Sequence, residues 1–345
     1  MFKVISIIFT LLAFTPIIAQ NSESLDCFCY NQEWVLETKQ IHIPGYPHAF
    51  NPSIVKWKNN YLLSFRIVAD MKDKFTCRIG LVKLDENFNV INKPQLLDTV
   101  EVDTGIPPRI DDARLILNND QLWMIYADNK KDIKVTAGGF RVYLGQLIEE
   151  NGQFILLNQE CLSKFEGEKK TVREKNWTPF IYNQEILLAY SLNPHRIFSP
   201  IIGLGECLTI TETEGNIFWP WGTLRGGTPA LLNGDHYLGF FHSSIDMESS
   251  FLSGKKHAHY FMGAYTFSSE PPFEIKMISP KPIIGQTFYQ GNDYTPYWKP
   301  VTVVFPCGFI DDGQFIWISY GKHDHECWIV KLNKTGLMES LVPVI

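Results

Sequence analysis

The 345-residue sequence contains no Cys-x-x-C pair and no cysteine–histidine spacing of the zinc-binding kind, which argues against a metal-stapled fold. It has no long basic run and a formal net charge of −6. The electrostatic footprint of a nucleic-acid binder is therefore missing, and nucleic acid is not an expected partner. Beyond residue 20, no apolar run is long enough to cross a bilayer as a helix. Nor does the chain lack core-forming residues. It is 45% hydrophobic and 14% aromatic, which excludes a disordered polymer.

The first 20 residues carry Lys3, an apolar stretch and Ala19. This pattern predicts a cleaved secretory signal and a secreted, periplasmic or secretory-lumen location. A retained anchor is the alternative, and Pro16 and the short apolar run disfavour it. With that signal removed, no integral membrane span is expected. Residues 30–345 then read as one domain. Seven cysteines remain: Cys27, Cys29, Cys77, Cys161, Cys207, Cys307 and Cys327. The odd count leaves at least one unpaired, and Cys307 with Cys327 is the first pair to test. Asn176-Trp-Thr and Asn333-Lys-Thr match the glycosylation pattern, with Asn333 the expected surface site.

One shape recurs five times, at residues 51–66, 111–128, 175–191, 225–243 and 305–324. Each copy starts with polar residues, runs through a short apolar strand, turns, and returns as a second apolar strand ending in polar residues. The turns read as Asn59-Asn60, Asn119-Asp120, Asn183-Gln184, Asn233-Gly234 and Asp312-Gly313, residue types that tolerate the positive φ of tight hairpins. The returning strands are apolar enough to be buried on both faces. Units this far apart leave room for one four-stranded blade each. The expected fold is all-β, a five-bladed β-propeller; a β-sandwich is the competing arrangement. Residues 33–43 and the run from Cys327 to Leu332 are expected to close the ring from the two termini. Residues 162–175 and 244–259 read as loops at the channel mouth.

In such a ring the polar ends of the repeats converge. They are Asn51 and Arg66; Asp111, Asp112 and Arg114; Arg173, Lys175 and Asn176; Arg225 and His242; His323 and Asp324. Carboxylates, cations and amide donors in an aromatic channel suit a sugar, whose ring faces stack and whose hydroxyls are read by fixed polar groups. Glycosidic cleavage needs a proton donor, and a carboxyl group in a confined pocket can be raised into that role. His323 and His325, if on a strand, share one face while Asp324 points to the other, which disfavours a metal site. The expected partner is an oligosaccharide or glycan, and a carbohydrate-binding propeller without catalysis is the alternative.

The motifs also resemble a known family. Asp111-Asp112-Ala113-Arg114 is similar to the Glu-Asp-Pro-Arg motif of glycoside hydrolase family 130, the β-mannoside phosphorylases and hydrolases. The segments from Lys175 to Phe180, Arg225 to Pro229, Phe240 to Ser243, Tyr260 to Ala264, Val304 to Gly308 and Tyr320 to Asp324 resemble further motifs of that family in order. Ala113, Ser243 and Phe261 depart from the pattern. The resemblance implies an inverting mechanism without a metal or organic cofactor. It also implies Asp112 as general acid and Arg225, His242 and Tyr260 as phosphate-binding positions. Asn51, Arg66, Asp111, Arg114, Lys175, Asn176 and Asp324 are the expected substrate-binding residues. Inorganic phosphate is the implied co-substrate in phosphorylase members. A hydrolase would need a carboxylate base instead, for which Glu174, Glu206 and Asp246 are candidates, and mannosyl transfer is a third outcome.

Overall fold

The computed structural model describes residues 32–70, 72, 76–99, 109–128, 139–169, 172–248, 256–290 and 302–344. The expected signal segment, Cys27 and Cys29 lie outside them. Strand β1 (Val35–Ile41) comes first. Blade 1 is β2 (Phe50–Trp57), β3 (Asn60–Val68), β4 (Cys77–Leu84) and β5 (Gln95–Leu96). Blade 2 is β6 (Ile110–Asn118), β7 (Gln121–Asp128), β8 (Arg141–Glu150) and β9 (Gln153–Leu162). Blade 3 is β10 (Thr178–Tyr182), β11 (Glu185–Leu192), β12 (His195–Ile201) and β13 (Glu206–Thr213). Blade 4 starts with two short pieces, β14 (Arg225–Gly226) and β15 (Leu231–Asn233), which both pair with β16 (His236–Glu248); β17 (Lys256–Ser268) and β18 (Ile275–Ile278) follow. Blade 5 is β19 (Val304–Asp311), β20 (Phe315–Lys322) and β21 (Glu326–Asn333). A short helix α1 (Lys334–Ser340) leads to β22 (Val342–Pro343).

The five sheets form a five-bladed β-propeller, in which β19 meets β2, β2 meets β6, β6 meets β10 and β10 meets β15, and β16 and β17 of blade 4 close the ring on β19. Both termini close it. β1 pairs antiparallel with β21 as the outer strand of blade 5, and β22 pairs with β18 at the rim of blade 4.

The ring is held by five apolar interfaces, one per pair of neighbouring blades. Successive side chains of a strand point to opposite faces, so each middle strand feeds two interfaces at once. Leu62 packs towards blade 2 and Leu63 towards blade 5. Leu187 packs towards blade 4 and Leu188 towards blade 2. Phe240 packs towards blade 5 and Phe241 towards blade 3. This is why the returning strands are apolar without interruption. Each fully buried side chain of this size contributes about 1.5–3 kcal/mol, so the interfaces dominate the stability of the ring.

Several local expectations need correction. The first turn is Lys58-Asn59, because Trp57 pairs with Asn60, and the fourth is Gly234-Asp235, because Asn233 pairs with His236. Register follows the residues that must be buried, and it overrides the turn preference of one asparagine. Residues 244–248 and 256–259 are not loop; they prolong the β16–β17 hairpin as far as the Glu248–Lys256 pair. Met247 and Phe261 bury an apolar face there with Ile284. Cys307 and Cys327 are free thiols, since β20 runs between their strands. His323 and Asp324 lie in a turn, with φ of 52° and 57°, and not on a strand.

Candidate active site

The inner strands are irregular where they face the channel. Pairing slips between Phe50 and Ser53 on β2, between Asp111 and Arg114 on β6, and between Pro306 and Gly308 on β19. Such bulges re-aim a side chain. Asn51 (φ 49°), Asp112 (φ 40°) and Asn176 (φ 65°) sit in the left-handed region, which Asn and Asp tolerate better than other side chains.

The three are joined across blades. Asn51 Nδ2 donates to Asp112 Oδ1 at 2.8 Å, and Arg66 Nη1 contacts the same oxygen at 3.2 Å. Arg66 Nη2 meets Asp111 Oδ1 at 2.6 Å, and Lys175 Nζ meets Asp111 Oδ2 at 3.1 Å. Arg114, buried at 2% exposure, donates to the backbone carbonyls of Asp112 (3.0 Å), Gly226 (3.1 Å) and Gly227, and to Asn176 Oδ1 (3.3 Å). One guanidinium thus ties blades 2, 3 and 4. Arg225-Gly-Gly is more than a turn: a Cβ on Gly226 would lie 2.2 Å from the Asn176 carbonyl oxygen. Only glycine lets that backbone come close enough to reach Arg114.

Electrostatics sort the charged groups. Burial alone would raise the Asp112 carboxyl, but Arg66, Lys175, the Asn51 hydrogen bond and Arg114 outweigh it and lower it. The expectation of a raised Asp112 is therefore corrected: its neighbours hold it as a carboxylate. Burial opposes the charge on Arg66 and on Lys175, yet Asp111 and Asp112 raise both. Asp324 differs. Burial raises it to about 6, with Arg66 and Lys175 opposing and the two nearby aspartates adding to the rise. Its position is fixed by close packing of the preceding strand. A Cβ on Gly321 would fall 1.8 Å from Asn51 Oδ1, so β20 passes directly against the amide that binds Asp112.

On blade 4, Arg225 and His242 are cross-strand partners. The His242 ring is buried between Phe305, with centroids 4.3 Å apart, and Tyr260, at 6.1 Å. Burial, then Arg114, Arg225 and Lys175, hold the imidazole well below its ordinary pKa, against Asp112, so it is neutral. Among the described residues, no hydrogen-bond partner reaches its buried Nδ1.

The structure thus links Asn51, Arg66, Asp111, Asp112, Arg114, Lys175 and Asn176 in one bonded group, with Arg225, His242, Tyr260 and Asp324 near it. Arg173 is exposed, with its guanidinium 5.8 Å from the Phe140 ring. The candidate bases are not equivalent. Glu206 lies on β13, the outermost strand of blade 3, 3.6 Å from Lys164. Glu174 accepts from Trp177 Nε1 at 3.3 Å inside the wall of blade 3. Asp246 is exposed on the face of β16 that carries His242. His323 and His325 use Nδ1 on backbone, with Val303 N and His323 O respectively. Phe140, Phe305 and Gly321 were not singled out from sequence, although Phe305 and Gly321 lie inside the quoted motifs.

No family model and no curated protein sequence matches the chain. Solved structures do. A glycosyl hydrolase from Bacteroides ovatus superposes with a TM-score of 0.62 at 13% identity, covering 87% of this chain and 90% of that one. A β-1,2-mannobiose phosphorylase from Listeria innocua, in complex with β-1,2-mannobiose, gives 0.57 at 14%, covering 90% and 93%. A GDP-Man-dependent mannosyltransferase from Leishmania mexicana gives 0.60 at 12%, covering 91% and 94%. At these identities the likeness establishes the five-bladed architecture across nearly the whole chain.

Proposed function

We propose that the protein is a carbohydrate-active enzyme that cleaves or transfers β-mannosidic bonds by a single inverting displacement in the channel. The observation that carries this reading is Asp112, a buried carboxylate placed by a left-handed bulge and fastened through Oδ1. Among the described residues no hydrogen bond or ion pair reaches Oδ2, which is left for a sugar hydroxyl. The similar folds that act on mannosides, by their own descriptions, support the substrate class.

The acceptor we favour is inorganic phosphate. Arg225 and His242 are cross-strand partners on blade 4 and offer donors there, with Tyr260 beside the imidazole. A cation and neutral donors bind phosphate and hold it in line with the anomeric carbon. Of the carboxylates a hydrolase would use, Glu174 and Glu206 are engaged elsewhere and Asp246 is exposed towards the end of β16. No metal or organic cofactor is needed for this chemistry. Export through the amino-terminal segment belongs to the same proposal. Among the described residues no helix is long and apolar enough to cross a membrane.

The test is incubation with β-manno-oligosaccharides, with and without phosphate. Mannose 1-phosphate is the expected product. Free mannose without a need for phosphate would move the assignment to hydrolysis, and binding without turnover would move it to a lectin. Asp112→Asn is expected to reduce turnover at least about 100-fold while the protein remains folded. Full activity in that variant would remove Asp112 from the mechanism.

A further inference from the structure

We propose that Gly321 is a positioning residue for the reaction: its bare Cα seats the Asn51 amide, and that amide aims the Asp112 carboxylate. The inference rests on the glycoside-cleaving reading above, in which Asp112 is the group that acts on the substrate.

Two donors hold Asp112 Oδ1. Asn51 Nδ2 is the nearer, at 2.8 Å, and Arg66 Nη1 stands at 3.2 Å. The guanidinium is shared, since its Nη2 lies 2.6 Å from Asp111 Oδ1 and 3.3 Å from Cys77 Sγ. The Asn51 amide is therefore the more specific of the two holds on Asp112. Among the described residues no hydrogen-bond partner reaches its buried Oδ1. Burying an amide oxygen without a donor is costly. The opposite orientation would set that oxygen against the Asp112 carboxylate, so Asp112 dictates which way the amide faces.

The backbone behind the amide is fixed. Gly321 pairs on both sides, with Phe305 of β19 and with Cys327 of β21. A Cβ built on it would fall 1.8 Å from Asn51 Oδ1, 2.9 Å from Asn51 Cγ and 2.8 Å from the Asn51 backbone nitrogen. A hydrogen takes that place, and the amide rests against it. Two more contacts pin the β2 bulge that carries Asn51. From blade 5, Ser319 Oγ donates to Pro52 O at 2.7 Å; towards blade 2, Ser53 Oγ accepts from Leu115 N of β6 at 3.0 Å. The supports run from β20 through the β2 bulge to the strand that bears Asp112.

The atom that an added methyl group meets first is the end of a side chain. The protein can therefore fold with alanine at position 321, but only with the Asn51 amide turned off Asp112. Oδ1 then keeps Arg66 alone, and the carboxylate is free to rotate away from its aim. Misplacing a reacting group by about 1 Å is enough to cost about 100-fold in rate. The loss falls on the reaction step, because the other polar groups of the site still hold the sugar.

The test is a double-mutant cycle of Gly321→Ala and Asn51→Ala, with kcat and KM measured on β-mannobiose and phosphate, and melting curves to show that each protein is folded. Each single change is expected to lower kcat about 10- to 100-fold, with KM within about 3-fold of wild type. The double variant is expected to match Asn51→Ala in kcat within about 3-fold, because no amide is left for the methyl group to displace. Losses that multiply in the double variant would overturn the proposal. So would a Gly321→Ala protein with wild-type kcat, or one that loses only in KM. Should Gly321→Ala fail to fold, the double variant against Asn51→Ala decides alone: equal kcat supports the proposal and a further 10-fold loss overturns it. A wild-type protein inert on mannobiose, or an Asp112→Asn protein with full activity, would overturn the glycoside-cleaving reading instead.

Discussion

Asn51, Asp112 and Asn176 hold a conformation unusual for side-chain-bearing residues, and their bonds run continuously from Asn51 through Asp112 and Arg114 to Asn176. Asp324 extends that logic to stability. Its folded pKa of about 6 lies above the ordinary value of 3.8, so the folded state binds the extra proton between those values. Stability is therefore lost as pH rises from 3.8 through 6. Replacing Asp324 with Asn is expected to stabilise the protein at pH 8, by on the order of 2 kcal/mol after discounting its partial exposure. The gain should vanish below pH 4. Melting curves at the two pH values check this, and equal melting at both would contradict a burdened carboxyl group. Asp112 was legible in the sequence because it stands in a short motif between two other charged residues. The ionisation of the two aspartates was not, because it depends on cations and burial contributed by other blades.

At the scale of elements, blade-to-blade clasps add to the apolar interfaces. Glu149 on β8 accepts from Lys58 Nζ at 2.7 Å, Trp57 Nε1 at 3.0 Å and Lys83 Nζ, fastening blade 2 to blade 1. Burial would raise its carboxyl, but the hydrogen bonds from Lys58, Lys83 and Trp57 pull it down to about 2. Its contribution is thus present above 4.5 and is lost as pH falls towards 2. Glu149→Gln is expected to lower stability at pH 7 by on the order of 1 kcal/mol and to match the wild type near pH 2. A loss that persists at pH 2 would assign Glu149 a packing role instead. The hairpins were legible as paired apolar runs around Asn, Asp and Gly. Two turns shifted by a residue because packing sets register. The β16–β17 arms were missed because Ser, Asp and Lys mask the few apolar residues, Met247 among them, that keep the ladder going.

For the molecule as a whole, closure follows from the termini. β1 completes blade 5, β22 caps blade 4, and five interfaces of alternating side chains leave the inner strands no freedom to splay. The repeat predicted this ring, because five similar hairpins offer ten apolar faces that can be buried only against one another. It named the polar strand ends that come together but not the bonds among them, since those depend on bulges invisible in the pattern. The central claim is that segments as far apart in the chain as Asn51 and Asp324 form one sugar and phosphate site. Its most direct test is a crystal structure of the Asp112→Asn protein with β-mannobiose and phosphate. The account predicts a mannosyl ring between residues 112 and 324, with phosphate against Arg225 and His242. Sugar bound away from residue 112, or phosphate remote from Arg225 and His242, would contradict it.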